Sequence, residues 1–377
     1  MTHANNEKTL VVVQLSGGND YLNTLVPYEN GMYYDSRPKV RIEPEQVTPI
    51  GDGVGFRPGL EPVKELWDEG KVAIINGIGY PNPNRSHFRS MDIWHTALPE
   101  DVGREGWLGR VIREFDPKGE NVLTGVNFGR GLPRCLSCRG VPVASVGNLE
   151  TYGLFPDMKD EALKKFALDT FAKMYGGARG KDAVIDFLGQ TGINALKGAD
   201  ILRTAPAKYS SGVEYAASPI AESLKGVAQV MFADLGTRIY YTQHGSFDTH
   251  AGELDSHSKL WGDVASAVGD FTDDLKEHGR EDDAIIFMFS EFGRRIRDNG
   301  SGTDHGSGGL AFVIGSSVKG GMYGAYPSLK EEDQLEGDLL FNNDFRQSYT
   351  AILQDWIGLD AAPIVNGRFE SLGFIAG

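Results

Sequence analysis

Short, continuous apolar runs recur along the chain, and each ends in glycine or in a polar cluster. Residues 9–16 (TLVVVQLS) run into Gly17-Gly18-Asn19-Asp20, 72–78 (VAIINGI) into Gly79 and a loop rich in proline and asparagine, 238–243 into the loop from His244 to His250, and 284–290 (AIIFMFS) into Glu291. Residues 310–314 form another such run. Runs without polar alternation predict strands buried on both faces, as in a parallel sheet.

Between them the spacing turns helical. Residues 60–69 place Leu60, Val63, Leu66 and Trp67 on one stripe and stop at Gly70; a helix starts near Ser86 and runs to about His95. Residues 255–278 align Leu260, Val264, Val268, Phe271 and Leu275 before Gly279, a residue suited to a helix C-terminus. A closing helix is expected over 345–357. Strand–helix alternation of this kind predicts an α/β fold, a mostly parallel sheet covered by helices on both faces. Ligands in such sheets bind beyond the carboxyl ends of the strands, where the polar clusters lie. The middle segment, 99–235, has amphipathic stretches at 160–174, 181–195 and 220–235, a short strand at 143–146 and few motifs. It is expected as a helical cap or insertion on one domain spanning 1–377.

Composition sharpens this reading. Of 377 residues, 40% are hydrophobic and 10% aromatic, enough for a large core. A net charge of -15 opposes long-range attraction to nucleic acid or anionic membranes, so an anionic substrate needs a local positive centre. No apolar run is long enough to span a bilayer. The first residues lack a basic segment followed by an apolar stretch, so a cytoplasmic location is expected for the chain as written, with export of a longer form as the alternative. Cys135 and Cys138 are the two cysteines. One Cys-x-x-Cys pair in a loop is half of a zinc ribbon at most, and incidental thiols or a local disulfide are the readings left open. Serine stands where the formylglycine motif Cys-x-Pro-x-Arg has proline, which excludes that chemistry.

The densest chemistry lies between Phe247 and Gly309. Asp248 and His250 are either two ligands of one ion or caps of the next helix. His305 sits in a glycine-rich loop before an apolar strand, where an imidazole has little packing role. Asp304 is expected to orient an imidazole. Asp20 is a ligand or the centre of an Asx turn, and Glu291 pairs with a metal or with Arg294 or Arg295. Ser86 is a helix N-cap or a nucleophile activated by the helix N-terminus, and His87 a proton donor or a surface residue. Carboxylates and imidazoles converging from separate strands suit a divalent ion, Zn or Mn. The guanidinium forks of Arg294 and Arg295 suit a tetrahedral anion.

These motifs also carry a resemblance. Residues 10–23 (LVVVQLSGGNDYLN), 79–94 (GYPNPNRSHFRSMDIW), 247–250, 290–295 and 302–306 (GTDHG) resemble the bacterial family known as domain of unknown function 1501, similar in fold to the alkaline phosphatase and sulfatase superfamily. The resemblance covers essentially the whole chain. It implies a metal-dependent hydrolase of small anionic phosphate or sulfate esters, with Ser86 or a metal-bound water as nucleophile. One ion takes Asp248, His250 and His305, and a second takes Asp20 and Glu291. The superfamily's Asp-His pair reads Glu291-Phe292 here, so the second ion is expected to be weak, harder or absent. A non-catalytic anion- or glycan-binding protein, and a metal-dependent mutase, are the alternatives. Many members carry a twin-arginine export signal, which this chain lacks.

Overall fold

The first apolar run forms strand β1 (Thr9–Leu15), buried along its whole length and lying between two parallel neighbours in a nine-stranded sheet. The computed structural model describes residues 8–149, 160–176, 192, 198–199 and 201–376. In chain order the strands are β1, β2 (Leu25–Val26), β3 (Thr48–Gly51), β4 (Val54–Phe56), β5 (Val72–Gly79), β6 (Gly125–Phe128), β7 (Ala144–Val146), β8 (Ile239–His244), β9 (Ala284–Phe289), β10 (Arg294–Asp298), β11 (Thr303–His305), β12 (Gly309–Ile314), β13 (Gly321–Tyr323) and β14 (Asn343–Asp344). The large sheet runs β13-β5-β12-β9-β1-β8-β6-β7, with β14 on β5. Two small sheets, β2-β4-β3 and β10-β11, lie outside it.

Side-chain alternation along each central strand feeds two separate core layers. Val11, Val13, Ile286 and Met288 join one with Leu224, Val227, Leu260 and Val264 from the helices Pro219–Phe232 and Glu253–Glu277. Leu10, Val12, Ile285 and Phe287 join the other with Trp94, Leu108, Val111 and Tyr349, from the helices His87–Thr96, Trp107–Phe115 and Phe345–Ala351. Each such side chain contributes about 1.5–3 kcal/mol on burial, so these layers rather than surface ion pairs dominate the stability. The expected mostly parallel sheet with helices on both faces is therefore what forms.

One strand runs against the rest, and that reversal builds the site. β12 is antiparallel to both β5 and β9. Its first residue, Gly309, thus lies at the edge where β1, β8 and β9 end. The hairpin β10–β11 is inserted just before it and pairs Arg294 with His305, delivering His305 to the carboxyl ends of the parallel strands.

His305 was expected in a glycine-rich loop, but β10 and β11 form because the hairpin buries Arg294 and Thr303 instead of an apolar face. On the long helix, His257 is fully buried among Asn19, Arg57 and Trp261. Within 99–235, β6 and β7 extend the large sheet itself, and the expected helix over 160–174 forms as Glu161–Gly176. The helix expected over 181–195 falls almost entirely outside the described residues.

Gly17 shows why the first motif is glycine-rich. Its φ is +127°, and a Cβ there would stand 2.3 Å from the backbone nitrogen of Asp248. Only a residue without Cβ lets the end of β1 lie against the loop after β8. Gly17→Ala should therefore lower stability by ~2 kcal/mol or more, read as the urea midpoint. An unchanged midpoint would show that the two loops separate at no cost.

Candidate functional site

Four loops converge where β1, β5, β8 and β9 end. The loop after β5 leads into the helix His87–Thr96, so His87 opens that helix. The loop after β8 carries Asp248 and His250, Glu291 follows β9, and β11 ends in His305. The ring of His87 packs against Phe292, 4.9 Å between centroids.

Each of the three imidazoles is anchored through Nδ1 by an acceptor. His87 Nδ1 lies 2.8 Å from Glu291 Oε1, His250 Nδ1 3.0 Å from Asp304 Oδ1, and His305 Nδ1 2.9 Å from the carbonyl oxygen of Arg85. A carbonyl or a carboxylate can only accept, which assigns the neutral-ring proton to Nδ1 and leaves Nε2 with a lone pair. The hydrogen bond and charge of Glu291 also raise the His87 imidazole above its ordinary value.

Those lone pairs face one another. His305 Nε2 lies 3.0 Å from the Nε2 of both His87 and His250. Asp248 Oδ1 is 3.0 Å from the Nε2 of His250 and of His305, and its Oδ2 is 3.5 Å from that of His87. Two lone pairs at hydrogen-bond distance repel unless a cation stands between them. Ligand atoms around a tetrahedral zinc, with bonds of about 2.0–2.1 Å, are separated by about 3.3 Å, close to these spacings. His87, His305 and Asp248, whose ligand atoms all lie within 4.8 Å of one another, are a zinc-type donor set with His250 beside it, and the Nδ1 acceptors supply the outer hydrogen bonds that orient ligating histidines. The residues present fit a divalent ion.

Asp248 is held ionised. Burial works to raise its carboxyl, but the hydrogen bond and charge of the Arg294 guanidinium work against it, and it is held down at about 2. Arg294 is fully buried and gives every contact to protein: Nε to Gly18 O at 2.7 Å, Nη1 to Thr303 O at 3.0 Å, and Nη2 to Gly17 O, Phe247 O and Asp248 Oδ1 at 2.6, 3.0 and 2.6 Å. It was expected to hold a substrate anion, but with its side chain 0% exposed it is out of a substrate's reach. Arg295, its neighbour on β10, turns the other way, and its side chain is 38% exposed.

The structure brings Asp248 and His305 together with His87, which was read as a proton donor or a surface residue, and sets His250 Nε2 3.0 Å from Asp248 and His305. Asp304 takes the orienting place read for it. Asp20 and Glu291 stand apart from the converging nitrogens. Asp20 is fully buried in an ion pair with Arg37, whose Nη2 lies 2.9 Å from its Oδ1. Arg37 is pinned in turn by the carbonyls of Arg295 and Ile296, at 2.9 and 3.0 Å. A buried guanidinium thus neutralises the carboxylate that a second ion would need. Glu291 accepts from the Gly17 nitrogen at 3.0 and 3.2 Å and from Ser290 Oγ at 3.0 Å, besides facing His87. Ser86 precedes the helix, is exposed, and makes no capping hydrogen bond.

Sequence reasoning missed the roles of His87, Arg37 and Arg85. Only the Ser86-His87 step at a predicted helix start pointed to the first; nothing local marks the other two. Cys135 and Cys138 are free and buried. Burial pushes both thiols up, that of Cys138 to about 11, as expected for unreactive thiols.

With fold and site on view, likenesses to known proteins can be placed. The class defined is an α/β fold with a cluster of imidazoles and a carboxylate at the carboxyl edge of a mostly parallel sheet. Residues 202–364 match the family described as Protein of unknown function (DUF1501), which bears out the resemblance read from the motifs. No curated protein matches the chain. Among solved structures, the chain is similar to a protein in the alkaline phosphatase superfamily from Vibrio parahaemolyticus (10% identity, TM-score 0.42, covering 96% of this chain and 69% of that one). It is also similar to the PsFucS1 sulfatase from Pseudoalteromonas sp. (11%, 0.42, 97% and 70%). A third likeness is the C-terminal periplasmic domain of EcEptC from Escherichia coli in complex with Zn (9%, 0.40, 83% and 74%). At this distance neither activity nor substrate transfers.

The buried charges beside the site yield a pH prediction. Burial and the neighbouring Asp20 charge push the Glu253 carboxyl from 4.5 up to about 9. Protonated in the fold and ionised in the unfolded chain at neutral pH, it gives stability that is full below pH 4.5 and lost as pH rises through about 9. Glu253→Gln should fold and flatten that decline. Melting temperatures of both proteins across this range, running parallel, would contradict it.

Proposed function

We propose that the protein is a single-metal hydrolase of phosphate or sulfate esters. The observation that carries this reading is the cluster of His87, Asp248 and His305, whose ligand atoms all lie within 4.8 Å of one another, with His250 Nε2 3.0 Å from Asp248 and from His305 and each imidazole fixed from behind through Nδ1. His87, Asp248, His250 and His305 would hold the ion. Bound there, a zinc or manganese ion supplies Lewis acidity toward an ester oxygen.

The chain's own residues do the rest. Glu291, Asp304 and the Arg85 carbonyl keep the imidazoles in the tautomer that aims Nε2 inward. Arg294 keeps Asp248 charged and fixed. Ser86 opens the helix His87–Thr96 with its hydroxyl uncommitted to capping, where the helix amides and dipole favour negative charge on its oxygen. Its Oγ forms the bond to phosphorus or sulfur as the ester oxygen departs, and water then releases the acid and restores the hydroxyl. Arg295 is the half-exposed guanidinium beside the site that remains for the anion. A second reading, anion or glycan binding without turnover, draws support from the Asp20–Arg37 pair, which removes the ligand set of a second ion.

Ser86→Ala should cut turnover of p-nitrophenyl phosphate or sulfate by ~100-fold or more with metal content unchanged, whereas His305→Ala should lose both. Full activity in Ser86→Ala would make water the nucleophile. No turnover by metal-loaded protein on either ester would favour the binding reading.

A further inference from the structure

A buried carboxylate, Asp338, stands against two arginines near the chain that follows His305. Asp338 lies in the segment after β13, its side chain 1% exposed. Arg85 Nε and Nη2 both lie 2.8 Å from its Oδ2. Arg295 Nε stands 3.5 Å from its Oδ1, an oxygen that has no hydrogen-bond partner. The Arg295 guanidinium donates no hydrogen bond among the described residues, and its Nη1 lies over Gly337. One carboxylate thus faces two guanidinium groups, each more than a third exposed. Glu336, 3.7 Å from Arg85, is 80% exposed and screens its charge only weakly.

The placement of this unmatched charge is specific. The Arg85 carbonyl accepts from His305 Nδ1, so the residue that anchors one imidazole also carries one guanidinium. Arg295 follows Arg294, which holds Asp248. Leu339, next to Asp338, accepts through its carbonyl from Ser307 Oγ at 2.7 Å and from the Gly308 nitrogen at 2.9 Å, tying the loop to the chain just after His305. In a protein of net charge -15, two part-exposed guanidinium groups seated on one buried carboxylate, with only the exposed Glu336 and Asp304 as further carboxylate neighbours among the described residues, in a loop tied to the chain just after His305, mark where an anion is received.

We propose that Arg85 and Arg295, seated on the two oxygens of Asp338, form the recognition wall for a tetrahedral oxyanion presented to the His87–Asp248–His250–His305 cluster. This deepens, and rests on, the ester-hydrolase reading. Arg85 is the specificity-determining residue, because its planar fork matches two oxyanion oxygens, and Asp338 is a positioning residue that sets both forks.

The test is calorimetric titration of the zinc-loaded protein with inorganic phosphate and, separately, inorganic sulfate. Arg85→Gln and Arg295→Gln should each weaken the preferred anion by ~10-fold, the order expected for losing a charge-assisted hydrogen bond, with zinc content unchanged. Arg85→Lys should recover part of the affinity, which a merely structural role would not produce. Asp338→Asn should raise the anion's Kd and the KM for an ester without lowering kcat. The stronger of the two anions identifies the ester class. Binding unaltered in both glutamine variants, or no binding of either anion by the parent protein, would overturn the proposal. Ester turnover with unchanged KM in both variants would remove the wall and leave the hydrolase. Anion binding lost in the variants, with no ester turned over by the parent, would leave the wall and remove the hydrolase.

Discussion

The site depends on one buried guanidinium. Arg294 reaches from β10 to the carbonyls of Gly17 and Gly18 after β1, of Phe247 after β8, and of Thr303 on β11, and ends on the Asp248 carboxylate. Three segments far apart in sequence are thereby fixed at the sheet's carboxyl edge by a group with no rotamer freedom left. A buried cation with one carboxylate and a set of carbonyls is satisfied without water, and removing it would strand all of those acceptors. The imidazole and carboxylate cluster is consequently held in place by the protein itself.

The neighbouring charges explain why one ion rather than two fits. Asp20 has Arg37 on its carboxylate, and Glu253 is kept neutral by burial and by the Asp20 charge. Asn23 and Thr303 donate to Glu253 at 2.9 and 2.5 Å. This pocket of charge is internally balanced, so a divalent ion would add uncompensated charge. The chain has placed a permanent cation, Arg37, at this acidic residue and, among the described residues, none at the histidine cluster's Nε2 atoms.

Much of the fold was legible because β1, β5, β9 and β12 are continuous apolar runs, and the helix Glu253–Glu277 has an unbroken stripe ending at Gly279. The hairpin β10–β11 was not, since Arg-Arg-Ile-Arg-Asp and Thr-Asp-His show no apolar alternation and the pair is held by polar burial. Among site residues, the proximity of Asp248, His250 and His305 was legible because their motifs follow strands of one sheet edge and loops give an imidazole little else to do. Asp20 and Glu291 were readable as buried carboxylates, but their partners were not: Arg37 lies 17 residues from Asp20, and the Gly17 amide 274 residues from Glu291. The direction in which Arg294 and Arg295 point was equally hidden, because adjacent strand residues face opposite ways and sequence could not say that a strand was there.

The central claim is that the three Nε2 nitrogens and Asp248 hold a single divalent ion. Elemental analysis of untagged protein, purified without added metal or chelator, tests it most directly. The account predicts close to one equivalent of zinc or manganese per chain, regained after chelation and lost in His305→Ala. No metal, with none taken up on addition, would contradict it, and two equivalents would show that Arg37 does not close the second site.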